Sequence, residues 1–161
     1  MNVSDELKEK AIALGLCTPW QKRWQNEDKH SLCQMYIKGL DFCIDHDYPS
    51  CTYMKKHFDG IMQQHGIFVD DVVNTSNLQE VVCNGCCVGM IVYDDFGTGT
   101  VYARHQSNVS IKASGHARVF VKVYDHANVN VVCSGNATAT VICHGGNINS
   151  TGNVKIVKCN D

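Results

Sequence analysis

From Cys87 onward, small or apolar side chains alternate with polar ones, and the pattern recurs every ten residues. Residues 87–146 divide into six blocks of ten: CVGMIVYDDF, GTGTVYARHQ, SNVSIKASGH, ARVFVKVYDH, ANVNVVCSGN and ATATVICHGG. The fifth residue of every block is apolar and β-branched, namely Ile91, Val101, Ile111, Val121, Val131 and Val141. The last three positions mostly hold residues that favour turns. A short strand followed by a tight corner, repeated without a helix, predicts a β-solenoid.

The repeat length also indicates how the solenoid coils. Two decads per coil is the simplest geometry and gives a coil of 20 residues with two flattened sides; a triangular coil of three decads is the alternative. With two decads, residues 20 apart stack at a spacing of about 4.8 Å. The predicted interior columns are Cys83, Ala103, Val123 and Cys143; Tyr93, Ala113 and Cys133; and Val101, Val121 and Val141. Most of these side chains are small or β-branched, which suits a narrow core.

The outward positions predict two unlike faces. One face carries Asn108, Ser110, Lys112, Asn128 and Asn130 and is polar, except for Val88, Met90 and Val92 at its start. The other carries Tyr102, Phe120, Lys122 and Ile142 among threonines, and we predict that these four residues form an interface. The chain's own helices or another subunit would cover it. A homo-oligomer is expected, most simply a trimer by analogy with β-helical fibres.

Residues 1 to about 66 have the apolar spacing of helices. Ser4 is the expected N-cap of the first helix, which ends near Gly15. Thr18, Pro19 and Gln21 then resemble a capping box for a second helix. A third helix is expected from about Asp28 to Asp45, with its apolar stripe at Leu32, Tyr36, Leu40 and Cys43. A fourth helix follows a cap at Ser50, a last helical turn covers residues 61–64, and residues 67–69 read as a strand.

The polar segment DDVVNTSN, residues 70–77, marks the expected domain boundary. The predicted fold class is α+β, with a helical subdomain over residues 1–73 and a single-chain β-solenoid over residues 78–161. Residues 78–86 would form an imperfect first strand and corner. After Gly146 the register breaks, and a strand at residues 154–158 would close the stack, as the ends of solenoids require.

Composition and charge narrow the function classes. Hydrophobic residues make up 44% of the chain and charged residues 19%, which indicates a globular protein. The net charge of -2 makes nucleic acid an unexpected partner, and no apolar run is long enough to span a membrane. Because the first residues, MNVSDELKEK, lack an apolar segment, we expect synthesis in a cytoplasm and ten reduced cysteines.

Cysteine spacing offers the first candidate for chemistry. Cys83 and Cys86 have the C-x-x-C spacing of a metal knuckle or redox pair, and Cys87 follows directly. A zinc site would need two more ligands, for which His105, Cys133 and Cys143 are candidates without matching spacing. A redox motif would open a helix, whereas this segment precedes a strand. The favoured interpretation is that these cysteines are small hydrophobic residues in a thin core.

Two further clusters are candidates for metal or catalytic sites. His116 and His126 occupy the tenth position of adjacent decads, and two decads per coil would place them on opposite edges. Asp45, His46 and Asp47 concentrate charge at a helix C-terminus, where solvent or Lys38 would offset the acids as readily as a metal. The sequence contains no glycine-rich phosphate loop before a helix and no hydrolase motif. We therefore predict no catalytic residue, no metal ligand and no cofactor.

Two stretches carry a resemblance to known proteins. LKEKAIALGLCTPWQKRW with GLDFCIDHDYPSCTYMKKHF, and the V-x-A-R-H…I-x-A-S-G-x-A-x-V-x-V repeat, resemble small proteins encoded by gut Bacteroidales and their phages. The repeat alone resembles short β-helical segments of viral fibres and adaptor proteins. The repeat, together with the lack of a recognisable site, favours a non-enzymatic structural or interaction protein whose helical part docks and whose solenoid assembles or projects. The resemblance implies that the protein is phage-linked, located in the cytoplasm or a virion, with other virion proteins as partners. The alternative is a small-molecule or glycan binding protein, or an enzyme, with its site between the helices and the first coil.

Overall fold

The computed structural model describes residues 1–159 and divides the chain into two compact units. The first, residues 1–65, is the helical unit; the second, which begins at Gly66, is the solenoid unit. The α+β class, with helices first and a β-solenoid after them, is confirmed.

The helical unit contains five α-helices and a short 3-10 helix. The α-helices are α1 (Val3–Ala13), α2 (Thr18–Arg23), α3 (Lys29–Lys38), α4 (Leu40–His46) and α5 (Cys51–Phe58), and the 3-10 helix is Met62–His65. The predicted cap at Ser50 is confirmed, since its side chain accepts the backbone N–H of Tyr53. Helix α3 begins after Asp28, as expected, and the Asp28 side chain caps it by accepting the Ser31 N–H.

Two predicted N-caps are wrong. Asn2, not Ser4, caps α1 by accepting the Asp5 N–H at 2.8 Å, because Ser4 already lies inside the helix and is buried. Helix α2 begins after Cys17 and has no side-chain cap. Gln21 does not complete a capping box, and its amide instead donates to the Leu16 carbonyl at 2.6 Å.

The expected helix from Asp28 to Asp45 is interrupted. Gly39 separates α3 from α4 with a backbone conformation of φ -103° and ψ 27°. A Cβ at this glycine would lie 3.3 Å from the Met35 carbonyl oxygen and 3.7 Å from the Trp20 ring. The distance to the Met35 carbonyl is tighter than an ordinary contact, whereas the distance to the Trp20 ring is an ordinary van der Waals separation, so a side chain here would crowd the backbone of α3.

The solenoid unit consists of two parallel sheets that alternate along the chain. Sheet A contains, in spatial order, β1 (Ile67–Val69), β3 (Glu80–Asn84), β5 (Thr98–Ala103), β7 (Arg118–Val123), β9 (Thr138–Cys143) and β11 (Val154–Lys158). Sheet B contains β2 (Val72–Ser76), β4 (Val88–Tyr93), β6 (Asn108–Ala113), β8 (Asn128–Cys133) and β10 (Asn147–Thr151). One strand from each sheet makes a coil, so the coil of two decads is confirmed and the triangular alternative is wrong.

The predicted interior is confirmed residue by residue. Val101 pairs with Val121 and Val121 with Val141, and the two columns that begin at Cys83 and Tyr93 stack as expected. All six fifth-position residues have an exposed fraction of 0%. A parallel sheet alternates its side chains between two faces, so this register places every intervening residue on the outside.

A single left-handed residue turns most corners. The ninth decad position has positive φ at Asp95, His105, Gly115, Asp125 and Gly135, with values between 49° and 66°. Glycine adopts this conformation without strain, and Asp tolerates it better than β-branched residues do. The turn-forming composition of the last three decad positions therefore reflects one backbone requirement.

The solenoid unit begins earlier than the predicted boundary. Strands β1 and β2 pair with β3 and β4, so residues 67–76 belong to the sheets rather than to a linker. At the other end, β11 forms as predicted and pairs with β9. Ile156 occupies an inward register position but is 40% exposed, and Lys158 occupies the next inward position. A charge at an inward position of an edge strand disfavours further strand addition.

Candidate functional site

The helical unit contains a half-open pocket of about 300 Å³, which we call the apolar pocket. Its lining comes from α1, α2, α3, α4 and the turns at residues 15–17 and 48–49. The side chains that shape it include Leu7, Trp20, Met35, Phe42 and Tyr48. The volume lies at the lower end of the range for small-ligand sites.

Two polar groups of the lining form hydrogen bonds within the helical unit. The Tyr48 hydroxyl donates to the Leu7 carbonyl at 2.6 Å, and the Trp24 indole N–H donates to Ser4 Oγ at 3.0 Å. Burial raises the pKa of the Tyr48 phenol, so its hydroxyl stays a donor over the physiological range. No lining residue is charged. The pocket therefore favours an uncharged, apolar group and offers no acid, base or nucleophile pair for catalysis.

Ser4 organises one wall of this pocket. Besides the Trp24 indole, its Oγ accepts the Glu27 backbone N–H at 3.1 Å and donates to the Gln25 carbonyl at 3.3 Å. These bonds hold the segment after α2 against α1. This role is not evident from the sequence, because a serine near a helix start looks like a cap and its partners lie about twenty residues away.

The outer face of sheet A contains the four residues predicted as an interface. Phe120 is 53% exposed at the centre of the face, with Thr100 and Thr140 beside it in the neighbouring strands. Tyr102, Lys122 and Ile142 are half-buried and occupy one cross-strand row. The Lys122 ammonium lies 5.5 Å from the centre of the Tyr102 ring, a cation–π contact. The structure brings these four side chains together on one surface.

Glu80 adds a carboxylate to the same face. Its Oε2 is buried without a hydrogen bond. Burial raises the pKa of Glu80, and the positive charge of Lys122 partly offsets that effect. Because removing a carboxylate from water disfavours its charged form, ionised Glu80 lowers the stability of this face.

The outer face of sheet B is different. Asn108, Asn128 and Asn147 form a column in which the Asn147 amide donates to Asn128 Oδ1 at 3.1 Å. Val88 and Met90 are exposed at the first full strand, as the sequence suggested. Beyond them the face is mainly polar.

The C-x-x-C segment does not converge on a metal. Cys83 and Cys87 are fully buried, whereas Cys86 is exposed at a corner. A hydrogen bond with Cys87, together with burial, raises the pKa of the Cys83 thiol well above its usual value. All ten cysteines are free thiols. Cys83 and Cys87 thus serve as small core residues, and the other proposed ligands Cys133 and Cys143 lie in opposite sheets.

The remaining predicted clusters are also dispersed. His126 lies at a corner that follows sheet A and His116 at a corner that follows sheet B, where it stacks on Phe96 at 5.0 Å. Asp45 and His46 are exposed, and Asp47 is the left-handed C-cap of α4. Within residues 1–159, no group of three or more His, Cys, Asp or Glu side chains is arranged to hold a metal ion.

Comparisons with known proteins add no relative to this description. No protein-family model, curated protein or solved structure matches the chain significantly. Of the helices in residues 1–159, none combines the length and apolar character that crossing a membrane requires.

Proposed function

We propose that the protein is a non-enzymatic interaction protein whose helical unit docks on a partner by taking an apolar side chain into the apolar pocket. One observation carries the proposal: a pocket of about 300 Å³ that is lined without charge and whose Tyr48 and Trp24 donors are already bonded. Apolar grooves between helices are a recurrent way to bind amphipathic segments. β-Solenoids are commonly structural modules, although a fold alone does not determine activity.

A free small molecule is the alternative occupant of this pocket, which lies within the helical unit, whereas the sequence analysis expected a ligand between the helices and the first coil. An apolar molecule suits the lining, whereas a glycan does not, because its hydroxyl groups would lose hydrogen bonds to water without finding replacements. The phage link and a virion location rest on the sequence resemblance alone.

The test uses an apolar fluorescent probe, anilinonaphthalene sulfonate, titrated into the folded protein. Cys17→Phe adds bulk at the exposed cysteine that lines the pocket, and Cys86→Phe adds the same bulk at an exposed cysteine of the solenoid. We expect the first variant to bind the probe several-fold more weakly and the second to match wild type. Equal binding by all three proteins, or no binding by wild type, would contradict the proposal.

A second proposed function is self-assembly through the outer face of sheet A. The specific support is Phe120, which is 53% exposed and lies diagonally across the strands from the half-buried Tyr102 and Ile142. A closed homo-oligomer, with a trimer as the leading expectation, would bury this surface.

Light scattering at micromolar concentration tests assembly. Phe120→Lys should reduce the mass of the oligomer to that of the monomer, whereas Asn130→Lys on the outer face of sheet B should leave it unchanged. A monomeric wild type with a mass unaffected by Phe120→Lys would remove the assembly proposal and leave the pocket proposal intact.

A further inference from the structure

Two histidines meet on the surface of the helical unit. His30, near the start of α3, and His65, at the end of the 3-10 helix, are 35 residues apart in the chain. His30 Nδ1 lies 2.9 Å from His65 Nε2, and the ring centroids are 5.2 Å apart with a 57° tilt. His30 is exposed and His65 half-buried, so solvent reaches the pair.

The separation of the two nitrogens matches that of neighbouring ligands on one metal ion. Imidazole nitrogens bind Zn²⁺ at about 2.0–2.1 Å, so two of them at a right angle lie about 2.9 Å apart, and two at a tetrahedral angle about 3.3 Å apart. The observed 2.9 Å fits the right-angled arrangement of octahedral and square-planar ions. The same spacing fits a hydrogen bond between neutral imidazoles, in which one nitrogen carries the proton. The two facing nitrogens can therefore share either a proton or a metal ion, but not both at once.

A carboxylate lies close by in the chain. Asp28 caps α3 by accepting the Ser31 N–H at 2.7 Å, and its charge interacts with His30. A bound cation would be attracted by this negative charge, although the water that reaches the exposed Asp28 and His30 weakens the attraction.

We propose that His30 and His65 form a two-histidine site for a divalent late first-row transition ion, with water at the remaining positions. Imidazole favours Ni²⁺, Cu²⁺ and Zn²⁺ over Mg²⁺ or Ca²⁺. On binding, the proton between the rings moves through water to the other nitrogen of the same imidazole, so both facing nitrogens present lone pairs. The ion ties α3 to the 3-10 helix and stabilises the folded helical unit.

Calorimetric titration with Ni²⁺ at neutral pH tests the site. His30→Gln and His65→Gln should each weaken the strongest Ni²⁺ binding step by about tenfold or more, because each removes one of two protein ligands. His46→Gln, which removes an exposed histidine of the same unit, should bind Ni²⁺ as wild type does. Equal affinity in wild type and both site variants would overturn the proposal.

A second measurement on wild type separates this site from the exposed thiols and does not depend on the variants folding. Paramagnetic Ni²⁺ should broaden the amide signals of residues 28–32 and 62–65 first. Broadening that starts around Cys17, Cys86 or His126 would overturn the proposal. Since neither histidine lines the apolar pocket, His30→Gln should retain probe binding there, and failure of one proposal leaves the other standing.

Discussion

The helical unit and the solenoid unit are stabilised in different ways. In the helical unit, individual contacts are specific to one place: the single side chain of Ser4 forms hydrogen bonds that join α1 to three residues that follow α2. In the solenoid, each interior position is one member of a column, and the same register recurs through β3, β5, β7 and β9. The effect of a substitution in the helical unit should therefore depend on the specific partners of that side chain. The effect of a substitution in the solenoid should depend on its position in the decad, and should be similar at equivalent positions of other coils.

The largest effect is expected from a charge in the solenoid core. Val121→Asp places a carboxylate at a fully buried position of β7, where leaving it unpaired costs several kcal/mol. Far-UV circular dichroism should show loss of the strand signal. Both tryptophans, Trp20 and Trp24, lie in the helical unit, so their fluorescence reports separately whether that unit stays folded.

Asn130→Asp is the matched control for this change. It puts the same carboxylate on an exposed, outward position of β8 and should leave the strand signal intact. If Val121→Asp unfolds no more readily than Asn130→Asp, the inward register of the fifth decad position is wrong.

The next largest effect is expected from the unique contact of the helical unit. Ser4→Ala removes the acceptor of the buried Trp24 indole and of the Glu27 N–H, and should lower the free energy of unfolding by about 1–3 kcal/mol. Urea unfolding followed by tryptophan fluorescence measures the loss. Gln34→Ala, at an exposed position of α3, is the control and should change stability little. An unchanged urea midpoint for Ser4→Ala would show that water replaces these bonds.

A smaller effect is expected at the corners. Gly115 has φ +66°, and a Cβ there would lie 3.0–3.1 Å from the backbone of Asp95 in the preceding coil. Gly115→Val should therefore destabilise the solenoid by about 1–2 kcal/mol, since a β-branched residue is strained in the left-handed region. Asp95→Gly, at the equivalent corner position, should be nearly neutral. Thermal unfolding of the two variants tests whether one backbone rule governs the corners, and equal midpoints would reject it.

The smallest effect concerns charge on the outer face of sheet A. Because the folded-state pKa of Glu80 is raised, its contribution to stability is highest below the unfolded pKa and declines as pH rises through the folded pKa. Glu80→Gln should remove that decline and equal or exceed the wild-type thermal midpoint at pH 7. Glu9→Gln, at an exposed position of α1, controls for loss of a surface carboxylate. A lower midpoint for Glu80→Gln at pH 7 would mean that attraction to Lys122 outweighs burial.

The two units also differ in how far the sequence predicted them. Val121 and its column were predictable because alternation is local and the decad repeats it many times. The sequence favours Ser4 and Gln21 as capping residues because both have suitable side chains near a helix start. Asn2 is as suitable a cap as Ser4, and the local sequence does not decide between them. The break at Gly39 was not predicted because the apolar spacing continues across it from Tyr36 to Leu40, and a single glycine lowers helix propensity without requiring a break.

The candidate sites show the same division. The grouping of Tyr102, Phe120, Lys122 and Ile142 followed from the period of the solenoid and is observed on one face. The apolar pocket and the pair of His30 and His65 required the packing of helices whose sequences carry no shared period. The sequence therefore did not predict that these residues lie close together.

The corner-to-corner spacing makes the length of this protein a discrete quantity. Strands of one sheet follow each other at intervals of 20 residues where the repeat is regular, as between Thr98 and Arg118. A duplication of 20 residues in the encoding gene would lengthen the stack by one coil, about 4.8 Å, and leave every later strand in its own sheet. A duplication of ten residues would transfer every later strand to the other sheet. The outward residues of those strands would then move from the outer face of one sheet to the outer face of the other. Evolution can therefore change the length of the solenoid by whole coils while each outer face keeps its own set of side chains.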